Sequence, residues 1–329
     1  MHRNPVVLTF AILIFASTLC IGIVDASDPR GVAGVNDVIT LKTSRLECTI
    51  GNNKSYQSEF GVHNPGYNGV FSIKSPDLTE NPFVPAYAGL NLEHYFDARA
   101  TYGRNVFFEP RHSPMSLKRI DEHTVELHQP PTPTFAVDSW TRFEVSEPYY
   151  LDFSFRFVLH KDVFEGGFMG VFWASYINGP LNKSAYFLNA GSTLDNPQWR
   201  QLCTQQHNRH STVRHELDTA ELKFENSDST LFGSLSPLRY SEPFFYGRFR
   251  NMAMIYVFEP NPNLRFAHSP SGGGTSKTGD DTNPAWDYQL VVPEYEIGKE
   301  YSLKGRLIYK PWKDRADIIA EVRKYLPGR

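Results

Sequence analysis

Cysteine is scarce in this chain. Three of 329 residues carry a thiol, which excludes a disulfide framework as the main source of stability. An excess of one charge is missing too: 33 Lys and Arg stand against 36 Asp and Glu, so there is no basic footprint for nucleic acid. Past residue 24 no apolar run is long enough to cross a bilayer. Helical periodicity is absent until the last residues, which excludes a βαβ architecture. No Gly-x-Ser-x-Gly elbow, cysteine–histidine motif, dinucleotide fingerprint or phosphate loop occurs. These gaps remove the most easily read hydrolases and cofactor enzymes.

What is present begins with an export signal. Met1, His2 and Arg3 give a short positive start, and residues 6–24 are almost wholly apolar. Val24 and Ala26 occupy the two positions that a signal peptidase reads, which predicts cleavage before Ser27. The expected organisation is a signal peptide over 1–26, a short segment over 27–37 and one β-sandwich domain over 38–329. The mature protein is then periplasmic or extracellular, with no membrane span. An uncleaved anchor is the alternative, because the apolar run is close to the roughly 18 residues a span needs. Export permits Cys48 and Cys203 to pair, though two cysteines alone do not require it.

The abundant residues are aromatic: 24 Phe, 17 Tyr and 5 Trp. They favour strands and, where exposed, offer flat surfaces to sugar rings. Residues 124–128, 141–145, 151–158 and 301–309 alternate polar and apolar, the period of half-buried antiparallel strands. Residues 252–258 are continuously apolar and suit a central strand. Only 313–326 has helical spacing, through Ile318, Ile319, Val322, Tyr325 and Leu326, with Asp314 or Asp317 placed near its N-terminus. The fold class expected is all-β: a large antiparallel β-supersandwich with a short C-terminal helix.

Histidines mark the chemistry. His207, His210 and His215 fall within the segment 204–216, beside Arg209, Arg214 and Glu216. Neutral imidazole is a proton acceptor and a metal ligand near physiological pH. Read as a strand, the segment puts His207, Arg209 and His215 on one surface. His207 and His215 would then lie roughly 26 Å apart at about 3.3 Å per residue, too far to share a metal without a bend. A divalent metal is therefore an open option with no ligand set assigned. His268 is expected at a strand end, opening onto the glycines at 272–274 and facing a pocket. Glu93 and His94 are neighbours, so one alone should face any given side of a strand, and His94 is the choice.

Tyr246, Arg248 and Arg250 share parity and would line one strand face. Guanidinium forks bind carboxylates and sulfates, and tyrosine and tryptophan stack on sugars. Arg248, Arg250 and Arg111 are thus candidate holders of a saccharide, including an anionic one. Tyr246 and Trp286 would stack on it, and Asn178 would bond a hydroxyl.

The run Trp286-Asp287-Tyr288-Gln289, continued through Val292-Pro293-Glu294-Tyr295-Glu296-Ile297-Gly298-Lys299-Glu300-Tyr301, resembles the galactose-mutarotase-like β-supersandwich. The segments Gly-Leu-Asn-Leu-Glu-His-Tyr-Phe-Asp (89–97), Thr-Gln-Gln-His-Asn (204–208) and His-Ser-Pro-Ser-Gly-Gly-Gly (268–274) are similar to those of secreted bacterial proteins of unassigned function. The resemblance covers about residues 38–326 and implies carbohydrate as the ligand. It lacks the mutarotase histidine motif followed by Tyr-Phe-Asn and a clear late glutamate base, so the mutarotase catalytic assignment does not carry over.

These readings combine into a secreted carbohydrate-active enzyme using histidine-assisted acid/base chemistry, of epimerase, lyase or glycosidase type. His207 and His268 are the expected acid/base pair, with His215 and His94 behind them. Non-catalytic saccharide binding needs the aromatic residues and arginines but not the histidines. A structural protein of the cell envelope needs neither.

Overall fold

Alternation in the sequence becomes pairing in space. The computed structural model describes residues 37–54, 66–99, 103–225, 230–275 and 281–328. The expected signal peptide, and the segment 27–37 except Asp37, lie outside the described residues.

The chain enters through a small antiparallel sheet of β1 (Val38–Lys42), β2 (Glu47–Gly51) and β3 (Gly69–Lys74). The stretch 38–50, which opens as a strand in the sequence, is thus a hairpin, turned at residues 43–46. Next come β4 (Asn91–Phe96), two short helical turns, α1 (Arg104–Phe107) and α2 (Glu109–His112), and a meander of β5 (Ser116–Arg119), β6 (Thr124–Gln129), β7 (Val137–Ser146) and β8 (Tyr150–Leu159). Then β9 (Phe168–Ala174), β10 (Ala185–Leu188), β11 (Trp199–Leu202), β12 (Thr212–His215) and β13 (Leu235–Tyr240) follow. The last strands are β14 (Phe244–Phe249), β15 (Met252–Phe258), β16 (Leu264–Ser269), β17 (Ala285–Pro293) and β18 (Glu300–Pro311), and α3 (Arg315–Tyr325) closes the chain.

Two large sheets dominate. One has nine strands in the order β11-β10-β14-β15-β18-β8-β7-β6-β5, and the other six in the order β13-β12-β16-β17-β9-β4. All pairings are antiparallel except that of β12 with β13. The fold is the expected all-β sandwich with a short C-terminal helix.

Each layer is held by residues whose parity directs them inward. Between the sheets, Phe155 of the larger sheet meets Trp173 edge-on at 4.9 Å, and Trp173 stacks on Tyr288 at 5.0 Å. Each such buried side chain contributes about 1.5–3 kcal/mol. Every residue of β15 is buried, because α3 covers the sheet's far face: Ile255 and Ile308 pack with Ile318 and Val322. Asp314 caps α3 by accepting from the Asp317 amide at 2.8 Å. Among the described residues, the outer face of the six-stranded sheet carries no helix as long as α3; the short α1 and α2 pack against β4 there, with Phe107 and Phe108 on His94. There Phe96, Phe172, Ala174, Ala267, Ala285 and Phe232 form a separate cluster, and the site opens beside it.

Candidate functional site

A cavity of about 280 Å³ lies on that outer face. Its polar walls are Glu93 and His94 from β4, Asp287 from β17, Ser269 from β16, and His207 and Asn208 from the loop before β12; Tyr176 and the rings of Phe107, Phe108 and Phe232 supply the aromatic walls.

Neighbours Glu93 and His94 both reach the cavity, contrary to the parity expectation. The cause is a β-bulge: Leu92 pairs with Trp173 and His94 with Phe172, which leaves Glu93 as an extra residue. A bulge breaks the in–out alternation and re-aims the side chains beside it. The Glu93 carboxylate accepts hydrogen bonds from the Tyr176 hydroxyl and, at 3.2 Å, from Arg111 Nη1. His94 Nε2 lies 3.5 Å from Glu93 Oε2. His94 Nδ1 donates to the Phe107 carbonyl, which fixes the ring's orientation.

Asp287 faces the same cavity and is 1% exposed. The Ser175 amide donates to it at 3.1 Å. Burial, reinforced by the charge of Glu93, pushes its carboxyl well above the usual carboxylate range, which favours the protonated form. His207 Nδ1 shares a 2.8 Å hydrogen bond with the Ser269 hydroxyl. Burial pushes its pKa below the ordinary histidine value, against the opposing pull of Glu93. The cavity thus joins the anchored Glu93 carboxyl, an Asp287 carboxyl raised by burial and a His207 imidazole lowered by burial. Titratable groups driven apart by their surroundings are the arrangement that acid/base work requires.

The His207 cluster is not a strand over its whole length. Only residues 212–215 pair, and the approach is a loop with Asn208 and His210 at φ of +57° and +51°. Left-handed backbone at non-glycine residues costs about 1–3 kcal/mol. The loop throws the three histidines apart. His207 enters the cavity, His210 Nδ1 lies 3.2 Å from the Leu235 carbonyl, and His215 Nε2 donates to the Ser241 carbonyl at 3.0 Å. His215 Nδ1 accepts from the Leu217 amide, so both ring nitrogens are engaged. Among the described residues, no three His, Cys, Asp or Glu side chains converge to hold a metal ion.

His268 corrects another expectation. It sits inside β16, opposite Trp286, on the face turned into the sandwich. It is 0% exposed, and Nε2 donates to the Lys183 carbonyl at 2.9 Å while Nδ1 accepts from the Thr204 hydroxyl at 2.7 Å. His207 and His268 therefore do not converge. Trp286, also 0% exposed, is core, and its Nε1 donates to the same carbonyl at 2.8 Å.

The arginine–tyrosine stripe faces away from the cavity, on the side of the larger sheet covered by α3. Tyr246 is buried and accepts from Arg315 Nε at 3.2 Å. Arg248 lies over Trp312, and Arg250, at φ +53°, pairs with Glu80 at 2.7 Å. Arg111 lies beneath the cavity as the partner of Glu93, its guanidinium 3.8 Å over the Tyr67 ring. Asn178 lies past β9, where its amide bonds the Pro82 carbonyl, outside the cavity lining. Cys48 and Cys203 are both free thiols.

Asp287 and Ser269 are polar cavity residues to which the sequence reading gives no role, and Glu93 is one that it sets aside in favour of His94. A signal exists for the first: between Trp286 and Tyr288, which turn inward, Asp287 must face the other side of its strand.

No family profile and no curated protein matches the sequence of the chain. Among solved structures it is similar to an Escherichia coli K12 protein provisionally named an aldose 1-epimerase, at 9% identity and a TM-score of 0.48, over 84% of this chain and 99% of that one. A galactose mutarotase-like protein from Lactobacillus casei aligns at 9% identity and a TM-score of 0.47, over 83% and 99%. The GalM/aldose epimerase homologue from C. elegans aligns at 8% and 0.46, over 84% and 100%. These matches fall in the group that the sequence resembles.

Proposed function

We propose that the protein is an exported carbohydrate-active enzyme that moves a proton at a sugar held in the Glu93–His94–His207–Asp287 cavity. The observation that carries this reading is the joint presence in one cavity of a raised carboxyl and a lowered imidazole. A saccharide suits the mixed lining of hydroxyl, carboxyl and aromatic groups, and the sequence resemblance implies the same ligand class. A cavity of about 280 Å³ is at the small end for ligand sites and suits one ring.

In this reading neutral His207 is the base, with Nδ1 tied to Ser269 and Nε2 left for the substrate. Protonated Asp287 is the acid that protonates the ring or leaving oxygen. Glu93, fixed by Arg111 and Tyr176, orients hydroxyls and balances the imidazolium that forms at His207. The bond changed, and with it the choice among epimerase, lyase and glycosidase, is set by where the sugar's acidic proton sits.

Proton NMR on a panel of neutral, acidic and sulfated sugars tests this. With wild type, new resonances or faster anomer exchange are expected. His207→Ala and Asp287→Asn should each lose about 10²-fold or more in rate while keeping the native near-UV circular dichroism. The rate should fall at acid pH as His207 is protonated, on a limb below the usual histidine range, and fall again at higher pH as Asp287 ionises, on a limb above the usual carboxylate range. Unchanged sugars across the panel would remove the enzymatic reading, and full rates in both variants would remove the assignment to His207 and Asp287. Export is checked by N-terminal sequencing of secreted protein, which should begin at Ser27.

A further inference from the structure

The outer face of the six-stranded sheet carries a second feature that the acid/base cavity does not use. Arg214 of β12 is in register with Arg239 of β13 on one side and Arg265 of β16 on the other. Residues in register share a face, so three guanidiniums stand side by side on adjacent strands. Like charges placed directly opposite each other destabilise a sheet.

The compensation inside the protein is partial. Asp218, fully buried, accepts from Arg265 Nε at 2.7 Å and Nη2 at 3.3 Å. Arg239 Nη1 donates to the His215 and Asp218 carbonyls. Arg214 Nε is buried with no hydrogen-bond partner among the described residues. Burial and the charge of Arg239 push its guanidinium below the ordinary range, against Asp218, with Arg265 adding to the repulsion and exposed Glu221 opposing it. Among the described residues that act on Arg214, three arginines, itself included, meet two carboxylates, Asp218 and Glu221. Arg214 and Arg265 line an open cavity of about 480 Å³ with Glu221, Leu222, Phe224, Gly233 and Leu235. The stretch 230–235 lies between this cavity and the first: Thr230, Leu231 and Phe232 line one, and Gly233 and Leu235 the other.

We propose that the Arg239–Arg214–Arg265 row is an oxyanion subsite that takes a sulfate ester or uronate carboxylate of an acidic saccharide whose neighbouring ring occupies the Glu93–Asp287 cavity. The oxyanion part stands on the arginine row alone, and the saccharide part rests on the function proposed above. An oxyanion in the cavity that Arg214 and Arg265 line would relieve the repulsion along the row. Anion recognition, expected from the sequence at Arg248 and Arg250, moves to a different sheet.

Inorganic sulfate is the first probe. At equal ionic strength, sodium sulfate should raise the melting temperature of wild type more than sodium chloride does, and Arg214→Gln should abolish that difference. Without ligand, Arg214→Gln should melt no lower than wild type, since it removes a repulsion; a clear fall would mark Arg214 as structural and overturn the proposal. An equal sulfate effect in both proteins would overturn it too. If Arg214→Gln does not fold, Arg214→Lys keeps the charge but loses the planar fork. It should bind sulfate several-fold more weakly, and unweakened binding would again overturn the subsite.

Calorimetry with galacturonate, sulfated-galactose and neutral galactose tetrasaccharides then identifies the source of the oxyanion. The preferred acidic oligomer should bind wild type about tenfold more tightly than the neutral one, the worth of a charge-assisted hydrogen bond, and Arg214→Gln should lose that preference. A sulfate effect with no oligosaccharide binding would leave the anion subsite standing and sink the saccharide assignment. Loss of turnover in His207→Ala with the preference intact would separate the two sites.

Discussion

His268 shows what a single residue's surroundings decide. Both ring nitrogens are engaged in the closed interior, and burial, only partly offset by the bond to the Lys183 carbonyl, holds its pKa at about 4. In the unfolded chain the value returns to about 6.5. The unfolded state therefore binds the proton first, and the stability contributed by neutral His268 is present above about pH 6.5 and lost as pH falls towards 4. The loss is about 3 kcal/mol. Urea unfolding at pH 7.5, 5.5 and 4 should show this decline in wild type and a flatter profile in His268→Gln; identical slopes would mean that His268 titrates alike in the folded and unfolded states. The density of histidines at 204–216 was legible in the sequence, as was His268 ahead of its glycines. Which ring meets a cavity and which meets a carbonyl was not, because that depends on groups 62–64 residues away: Ser269 for His207 and Thr204 for His268.

Elements were read best where their pattern is local. Alternation located β6, β7, β8 and β18, and continuous apolarity located β15, since periodicity reports which faces are covered. The helix was legible for the same reason, with Asp314 as its cap. Its anchor was hidden. Glu321, 2% exposed, accepts from Lys310 at 2.8 Å, from Lys324 at 3.0 Å, and from the Tyr149 and Tyr150 hydroxyls at 2.9 Å. Burial alone would raise its pKa, but these donors outweigh it and hold the carboxyl at about 2. Glu321→Ala should cost about 1–3 kcal/mol, because it leaves the Tyr149 and Tyr150 hydroxyls without their acceptor and Lys310 with Asp317 alone, at 2.8 Å, measured by urea unfolding at pH 7. The contribution of the carboxylate is present above about pH 4.3 and lost as pH falls towards 2, so the wild-type excess over Glu321→Ala should shrink in acid. The bulge in β4 left no mark in the sequence, because a bulge is a property of the ladder with β9 and not of β4 alone.

On the scale of the whole molecule the two sheets interlock through contacts that no segment announces. A Cβ on Gly247 of β14 would lie 2.2 Å from the Trp286 ring of the opposing sheet. Gly247→Val should therefore displace Trp286 from the Lys183 carbonyl that it shares with His268, costing about 1–3 kcal/mol. A lower melting temperature and a changed tryptophan signal in near-UV circular dichroism are the expected outcome; an unaltered spectrum would show that the sheets can part without strain. Asp287 follows Trp286 on the opposite face of β17, so one strand serves the core with one side and the candidate site with the other. The sequence by itself determined the all-β class, most long strands and the closing helix, because side-chain period and composition are set residue by residue. Tertiary structure alone decided that Glu93 and His94 share a cavity with Asp287, that His268 and His215 are spoken for, and that three arginines stand in one row. Those are matters of register and burial, fixed only when distant strands pair and water is excluded between them.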